Sequence, residues 1–176
     1  MTVGDSKVTG GGVRTGADWA AFLGTAVLIL VADQVSKARL VSAISPGKVV
    51  TVVGDLVRLV FSQNSGALFG LFKDQAILFG LVSLVVVGLI VAYHGRSERS
   101  SYLSIALGLL LGGALGNMAD RLRLGYVVDW VDIGIGTLRW FTFNLADAAI
   151  STAIVMLVLL AIVPGLSRAI EGGSDG

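Results

Sequence analysis

Three aspartates lie at the ends of long apolar segments, and they are the residues best suited to chemistry in this sequence. Asp120 and Asp129 follow an apolar run at about 100–119, and Asp147 stands at the start of a second run at about 148–167. Neither run contains an Asp, Glu, Lys, Arg or His, so both are expected to span a membrane. Carboxylates are costly at membrane depth, and a cluster of them there indicates a functional site.

The chemistry that these residues offer is that of a carboxylate pair. No serine, cysteine or lysine stands out with a histidine partner, and no metal-ligand spacing occurs. Two adjacent aspartates share a proton, so one can act as general base on a water while the other protonates a carbonyl or leaving group. The residues alone leave Asp120 and Asp129 open as partners of Asp147. Asp120 adjoins Arg121, its expected counter-charge, which favours a permanently ionised acid, whereas Asp129 has no cation within three residues.

The composition is that of a membrane protein. Of 176 residues 55% are hydrophobic and 14% are charged, where a soluble domain carries about 25% charged residues. The net charge of +1 and the lack of a basic block give no support to nucleic-acid binding. The absence of cysteine excludes disulfides and thiolate metal sites, and a single histidine excludes a multi-histidine metal site.

The predicted fold class is a membrane all-α protein with a small β element. Four spans are expected, at about residues 18–40, 75–93, 101–120 and 146–163. They form one domain over residues 18–165, between a tail at 1–17, expected to be disordered, and a polar tail at 166–176. A β-hairpin or small sheet is expected at about 46–72, between the first two helices, with its turn at Gly54 and Asp55.

Two other segments carry weaker expectations. The connection at 122–145 alternates only weakly between apolar and polar residues, with a turn marked by Gly134 and Gly136, and its aromatic residues fit an interfacial belt. His94, in the polar loop after the second span, is expected to be solvated.

Polar side chains collect at the span ends that face the two long connections. Within each span they share a helix face: Asp33 with Lys37 in the first, Asn117 with Asp120 and Arg121 in the third, and Asn144 with Asp147 in the fourth. The first of these sets reads equally well as a structural ion pair or as part of the site. Asn64, within the expected β element, can join the others from the membrane surface.

Glycines at four-residue spacing form a stripe on the third span, at Gly108, Gly112 and Gly116. Small residues on one stripe let helices approach closely in lipid, so this span is expected to pack tightly against a neighbour.

Charge counting gives an ambiguous orientation. Of the 13 Lys and Arg residues, five lie in the termini and the 94–100 loop and eight in the two long connections. Taken literally, the positive-inside rule would place the long connections in the cytoplasm.

The chain resembles the lipoprotein signal peptidases (signal peptidase II) over about residues 18–165. The resemblance rests on five motifs in order: DQVSK from Asp33, NSGALFG from Asn64, GGALGNMADR from Gly112, VVDW from Val127 and FNLADAAI from Phe143. It implies four helices in the bacterial inner membrane, both termini cytoplasmic, and an extracytoplasmic β element and active site. It also implies an aspartyl endopeptidase that needs no cofactor or metal. Its substrate would be a diacylglyceryl-modified prolipoprotein in membrane lipid, cut just before the lipidated cysteine.

The same motifs imply roles for individual residues. Asp129 and Asp147 would be catalytic. Five residues would line the site and hold substrate: Asn64, Gly66, Asn117, Arg121 and Asn144. Asp33, Lys37 and Asp120 would support it. Leu68 and Trp130 depart from the residues common in the family, and neither is one of the expected catalytic carboxylates.

Two functions of other classes are open on composition alone. An ion-coupled transporter would also use intramembrane carboxylates, but usually near the bilayer midplane on broken helices. A structural scaffold would explain the helices without explaining the polar residues at one end of them.

Overall fold

The structure, a computed structural model, describes residues 15–65, 75–98, 100–163 and 165. It contains four helices, α1 (Gly16–Ala43), α2 (Ala76–Arg96), α3 (Ser101–Leu124) and α4 (Leu145–Ile162). It also contains four strands, β1 (Val49–Val53), β2 (Val57–Asn64), β3 (Val127–Ile135) and β4 (Leu138–Arg139). Each helix is long and apolar enough to cross a membrane. The predicted fold class, four apolar helices with a small β element, is confirmed.

The third helix, α3, is the centre of the bundle. Of its most apolar window 56% is buried, against 17% in each of the other helices. The glycine stripe explains the close packing: a Cβ on Gly108 or Gly112 would lie 2.6 Å from a carbonyl oxygen of α1. Gly113 makes a similar approach to α4, where a Cβ would lie 2.6 Å from the carbonyl oxygen of Ala146. The predicted tight packing of the third span is present, and it positions the polar end of α3 between α1 and α4.

The β element is larger than the sequence indicated. The strands form one antiparallel sheet in the order β1-β2-β3-β4, and β3 and β4 come from the connection between α3 and α4. The hairpin turn between β1 and β2 has Gly54 at a φ of 48°, as its glycine predicts. The element is therefore not confined to the connection between the first two helices. Weak alternation concealed β3, because its first residues are buried on both faces.

The sheet rests on the end of α1. Leu40 of α1 and Ile44, the residue that follows its last turn, form a buried apolar cluster with Val128 of β3. This contact fixes β3, and with it Asp129, over the polar ends of the helices.

The expectation for His94 is wrong. Helix α2 continues to Arg96, so His94 lies in its last turn and is 0% exposed. Its ring stacks on Phe22 of α1, with centroids 4.0 Å apart, and its Nε2 lies 3.2 Å from Ser104 Oγ of α3. The helix ends meet tightly there, and the aromatic contacts replace the solvent that a loop would have provided.

Some expectations fall outside the described residues. These are most of the tail at 1–17, of which Gly16 and Ala17 belong to α1, the tail at 166–176, and the 66–72 part of the β element with Gly66.

Candidate active site

A buried lysine joins α1 to α3 at the polar end of the bundle. Lys37 Nζ lies 2.8 Å from Asp33 Oδ2 and 2.8 Å from Asp120 Oδ2, and it donates a hydrogen bond to Asn117 Oδ1 at 3.1 Å. The side chains of Lys37, Asp33 and Asp120 are at most 4% exposed. The three donors of the ammonium are therefore all used, and we call these four residues the lysine cluster.

The acids of the lysine cluster also hold the neighbouring backbone. Asp33 Oδ1 accepts a hydrogen bond from the Ala146 amide in the first turn of α4 (3.0 Å), and Asp120 Oδ2 accepts one from the Val128 amide of β3 (3.1 Å). Acidic side chains suit the N-terminus of a helix, where amides lack intrahelical partners. The cluster thus ties α1, α3, α4 and β3 into one framework.

The expected pairing of Asp120 with Arg121 is wrong. The direct ion pair of Asp120 is with Lys37, which lies 83 residues earlier in the chain. Arg121 projects elsewhere: its guanidinium lies 5.8 Å from the centre of the Phe79 ring and donates to the Asn117 carbonyl at 3.4 Å. It is still close enough to interact electrostatically with Asp147, and more weakly with Asp129 and Asp120. Adjacency in the sequence did not predict the ion pair of Asp120, because successive side chains on a helix point about 100° apart.

Two asparagines link Asp129 to Asp147. Asn144 Nδ2 donates to Asp129 Oδ1 at 2.7 Å, and Asn117 Nδ2 donates to Asp147 Oδ1 at 2.8 Å. The amides meet each other, since Asn144 Nδ2 also lies 3.1 Å from Asn117 Oδ1. We call Asp129 and Asp147, together with the two asparagines that link them, the aspartate pair. Asn117 is a member of both the aspartate pair and the lysine cluster and connects the two.

Local sequence explains why Asp147 is held in place. Asn144 caps α4, its Oδ1 accepting from the Asp147 amide at 2.9 Å, and Asp147 Oδ2 accepts from the Asn144 amide at 3.2 Å. This reciprocal capping box fixes the carboxylate in the first helical turn. The other Asp147 oxygen is the one that Asn117 contacts.

Asp129 is fixed from the sheet side. It lies on β3 opposite Ser62 of β2, and Asn64, at the end of β2, donates from Nδ2 to Asp129 Oδ2 at 3.1 Å. Asp129 is 3% exposed. Burial, and then the nearby charge of Asp147, raise the pKa of Asp129 to about 6 from an ordinary value of 3.8, although hydrogen bonds from Asn64 and Asn144 and the charge of Lys37 oppose the shift.

The arrangement brings together every predicted site residue that is described. Asp129 and Asp147 share one network with Asn64, Asn117 and Asn144. The lysine cluster connects to this network through Asn117. Arg121 borders the site through its contact with Asn117 and its charge. Within residues 15–65, 75–98 and 100–163, no group of three or more His, Cys, Asp or Glu side chains is arranged to hold a metal ion.

Sequence reasoning missed Gln34. Its Nε2 donates to Asp120 Oδ1 at 3.0 Å and to the Gly116 carbonyl at 3.2 Å, and its Oε1 accepts from Arg123 at 2.9 Å. Gln34 therefore orients the carboxylate that holds both Lys37 and the Val128 amide. Its place within the DQVSK motif was the available signal.

Comparison with known proteins identifies the family. The sequence pattern of signal peptidase (SPase) II matches residues 25–163. The chain belongs to the signal peptidase II family. Relatives named lipoprotein signal peptidase include those of Syntrophomonas wolfei, 35% identical over 82% of this chain and 94% of the relative, and Moorella thermoacetica, 39% identical over 81% and 93%. That of Pseudomonas aeruginosa PAO1 is 41% identical over 76% of this chain and 82% of the relative.

Solved structures agree on the fold. A bacterial membrane enzyme superposes on this signal peptidase II chain with a TM-score of 0.75 and 24% identity, over 85% of this chain and 91% of that one. A second, at 1.9 Å resolution, gives a TM-score of 0.74. With its four apolar helices, the chain is a multi-pass bacterial membrane protein and, by family, a peptidase. Membership of a hydrolase family leaves the transporter and scaffold alternatives without support.

Proposed function

We propose that this peptidase removes the signal peptide from diacylglyceryl-modified prolipoproteins, cutting the bond just before the lipidated cysteine, with Asp129 and Asp147 as its catalytic acids. The family and the names of the relatives support the substrate class. One observation carries the mechanism: two carboxylates on different elements, β3 and α4, are joined through the amides of Asn117 and Asn144 at the end of the spans.

The acid with the raised pKa holds the proton. Because the pKa of Asp129 is about 6, this group exchanges a proton near neutrality and acts as the acid. Asp147 is then the base, takes a proton from water, and the water oxygen bonds to the carbonyl carbon as Asp129 protonates the carbonyl oxygen. When the intermediate collapses, Asp147 returns its proton to the leaving nitrogen and Asp129 recovers one from the intermediate hydroxyl. The C–N bond breaks, and both acids regain their starting states without a cofactor.

The surrounding residues position the substrate and the acids. Asn64, Asn117, Asn144 and Arg121 offer amide and guanidinium donors around the acids, suited to a peptide backbone that must leave water. Asp33, Lys37 and Asp120 fix the helix ends below them. Gly66, outside the described residues, would belong to the same rim by its place after Asn64.

The proposed reaction also sets the orientation. A signal peptide keeps its basic end in the cytoplasm and is cut at its far, extracytoplasmic end. The carboxylates lie at the helix ends joined by the two long connections. The site and the sheet are therefore extracytoplasmic and both termini cytoplasmic, against the literal charge count.

The lipid on the substrate positions the scissile bond at the site. The carboxylates lie at the ends of spans, so the scissile bond must be held at the membrane surface. Burying a diacylglyceryl chain contributes about 0.8 kcal/mol per methylene, enough to hold the adjacent peptide bond there. We expect unlipidated precursor to be cut at least about a hundredfold more slowly, which corresponds to roughly 3 kcal/mol of transition-state binding.

The test is cleavage of a lipidated precursor by the purified protein in detergent or bilayers. Asp147→Asn should abolish turnover while the protein stays folded. Asp132→Asn is the matched control, because Asp132 lies on β3 near Asp129 but pairs with Arg139 (2.8 Å) away from the pair. Asp132→Asn should retain turnover. Substantial cleavage by Asp147→Asn, or equal rates on lipidated and unlipidated precursors, would contradict the proposal.

A further inference from the structure

Gln34 of α1 stands between the lysine cluster and the surface of the protein. Its Nε2 lies 3.0 Å from Asp120 Oδ1, 3.2 Å from Asp33 Oδ2 and 3.2 Å from the Gly116 carbonyl oxygen. Its Oε1 accepts a hydrogen bond from the guanidinium of Arg123, an exposed residue of α3, at 2.9 Å. The three partners of Nε2 are acceptors and the partner of Oε1 is a donor, so the surroundings fix the orientation of this amide.

The Asp120 carboxylate links Gln34 to β3. Its Oδ1 accepts from Gln34, while its Oδ2 contacts the Lys37 ammonium at 2.8 Å and accepts from the Val128 amide at 3.1 Å. The carboxylate is planar, so a hydrogen bond to Oδ1 also sets the direction in which Oδ2 points. Val128 is 2% exposed and directly precedes Asp129. The hydrogen bond to the Val128 amide therefore fixes the strand one residue before the acid.

We propose that Gln34 is a positioning residue for Asp129 and acts on it through the Asp120 carboxylate. This inference rests on the proposed function and adds to it a residue whose own hydrogen bonds are all with the framework. Positioning of this kind has a large effect on rate, because a displacement of about 1 Å can slow a reaction about a hundredfold. Arg123 holds Gln34 from the surface, so the chain of contacts begins outside the bundle.

These contacts maintain the burial of Asp129, and burial is the largest of the causes that raise its pKa to about 6. The charged groups that face it are Asp147 of α4, Lys37 of α1 and Arg121 of α3, and β2 faces it with an uncharged amide. A neutral substitution at Gln34 leaves all these charges unchanged. A less firmly held β3 admits water, which favours the ionised acid, so the pKa of Asp129 should fall towards its ordinary value.

Gln34→Met tests this chain of contacts, because methionine keeps a similar length and removes the amide. With the lipidated precursor, kcat should fall at least about tenfold and KM should change less than about twofold. The alkaline limit of kcat/KM should move to lower pH by about 0.5 unit or more. Gln63→Met is the matched control, since Gln63 lies opposite Val128 on β2 with an exposed side chain, and it should leave rate and limit unchanged.

The pH limit separates positioning from simple support of the fold. A residue that only supports the fold would lower the amount of folded protein without moving the limit of the molecules that remain folded. An alkaline limit in Gln34→Met that is unchanged, or that lies at higher pH, would overturn the proposal.

Arg123→Met tests the same contacts at an exposed position, and it applies even where Gln34→Met does not fold. Loss of a positive charge alone would raise the pKa of a nearby acid, whereas release of Gln34 should lower the pKa of Asp129. We expect a shift of the limit to lower pH, smaller than that of Gln34→Met. Arg39→Met, at an exposed arginine of α1, should cause no shift. A limit in Arg123→Met that is unchanged or at higher pH would contradict the proposal.

Carbon-13 NMR of protein with labelled aspartate side chains separates this inference from the proposed function. It follows the titration of Asp129 without substrate, with the signal assigned from Asp129→Asn. The pKa of Asp129 should be lower in Gln34→Met than in the parent and in Gln63→Met. A lowered pKa, in a preparation whose parent cleaves no lipidated precursor, would support the positioning and contradict the reaction. Normal cleavage by the parent with the same titration in all three proteins would overturn the positioning and leave the reaction intact.

Discussion

The lysine cluster and the aspartate pair place the same kind of side chain in opposite electrostatic settings. In the lysine cluster Asp33 and Asp120 each contact the Lys37 ammonium at 2.8 Å. In the aspartate pair the hydrogen bonds to Asp129 and Asp147 come from asparagine side chains and a backbone amide. Burial and the nearby charge of Asp147 raise the pKa of Asp129 to about 6, so this carboxyl can gain and lose a proton near neutrality.

This difference suggests different roles for the two clusters at one end of the bundle. The lysine cluster joins α1, α3, α4 and β3, so its charges serve the framework. The aspartate pair is connected to that framework through Asn117, and its two acids are the ones that we propose for catalysis. Asn117 is the residue through which a change in one reaches the other, because it accepts from Lys37 and donates to Asp147.

Removing the lysine should produce the largest loss of stability. Lys37→Met leaves Asp33 and Asp120 buried without their ammonium, and breaking a buried pair costs about 3–5 kcal/mol. Unfolding of the purified protein in detergent measures the effect. Lys48→Met, at an exposed lysine, is the matched control and should stay within about 0.5 kcal/mol of the parent. A Lys37→Met protein as stable as the control would show that the cluster is not the framework.

The aspartate pair should give activity an alkaline limit. In the proposed mechanism Asp129 must carry a proton to act as the acid, and its pKa is about 6. The value of kcat/KM should therefore fall as pH rises through about 6, with an apparent pKa that belongs to the pair. Cleavage rates of a lipidated precursor across pH 5–9 measure it. Activity that rises steadily through this interval would mean that no protonated acid is required.

A smaller effect should follow from removing the sheet-side hydrogen bond. The Asn64 amide lowers the pKa of Asp129, so Asn64→Ala should raise that pKa and move the alkaline limit to higher pH. Gln63→Ala, at the exposed neighbour on the same strand, serves as control and should leave the limit unchanged. A shift to lower pH would show that Asn64 does not stabilise the ionised form.

The sequence indicated which residues lie together at this end of the bundle better than it indicated the contacts between them. Charges that interrupt apolar spans are rare, so Asp33, Lys37, Asp120 and Asp147 stood out from their surroundings. Their pairing depends on how α1 and α3 cross, which no local pattern contains. Asp120 was therefore assigned to adjacent Arg121, although Lys37 holds it.

The same limit applies to the sheet and to His94. Strand β3 pairs with β2, some 65 residues earlier, as in the contact between Asn64 and Asp129, and its weak alternation gave no hint of that partner. His94 looked like a loop residue because polar residues follow it. Its burial comes from Phe22 and Ser104 on two other helices.

The division between framework and chemistry is tested most directly by Asp129→Asn and Asp120→Asn, measured together for unfolding and for turnover. The folded protein holds the Asp129 proton more tightly than the unfolded chain does. The contribution of Asp129 to stability is therefore full below about pH 3.8 and is lost as pH rises through about 6. At pH 7 a neutral asparagine removes a disfavoured charge, so Asp129→Asn should stay within about 1–2 kcal/mol of the parent. It should cleave at least about a thousandfold more slowly.

Asp120→Asn should instead lose about 3 kcal/mol of stability, the low end for a broken buried pair because Asp33 still contacts Lys37. We predict that, measured on the same preparations, Asp129→Asn loses turnover and keeps its stability, whereas Asp120→Asn loses stability. An Asp129→Asn protein that still cleaves the lipidated precursor, or an Asp120→Asn protein as stable as the parent that has lost only turnover, would contradict the account.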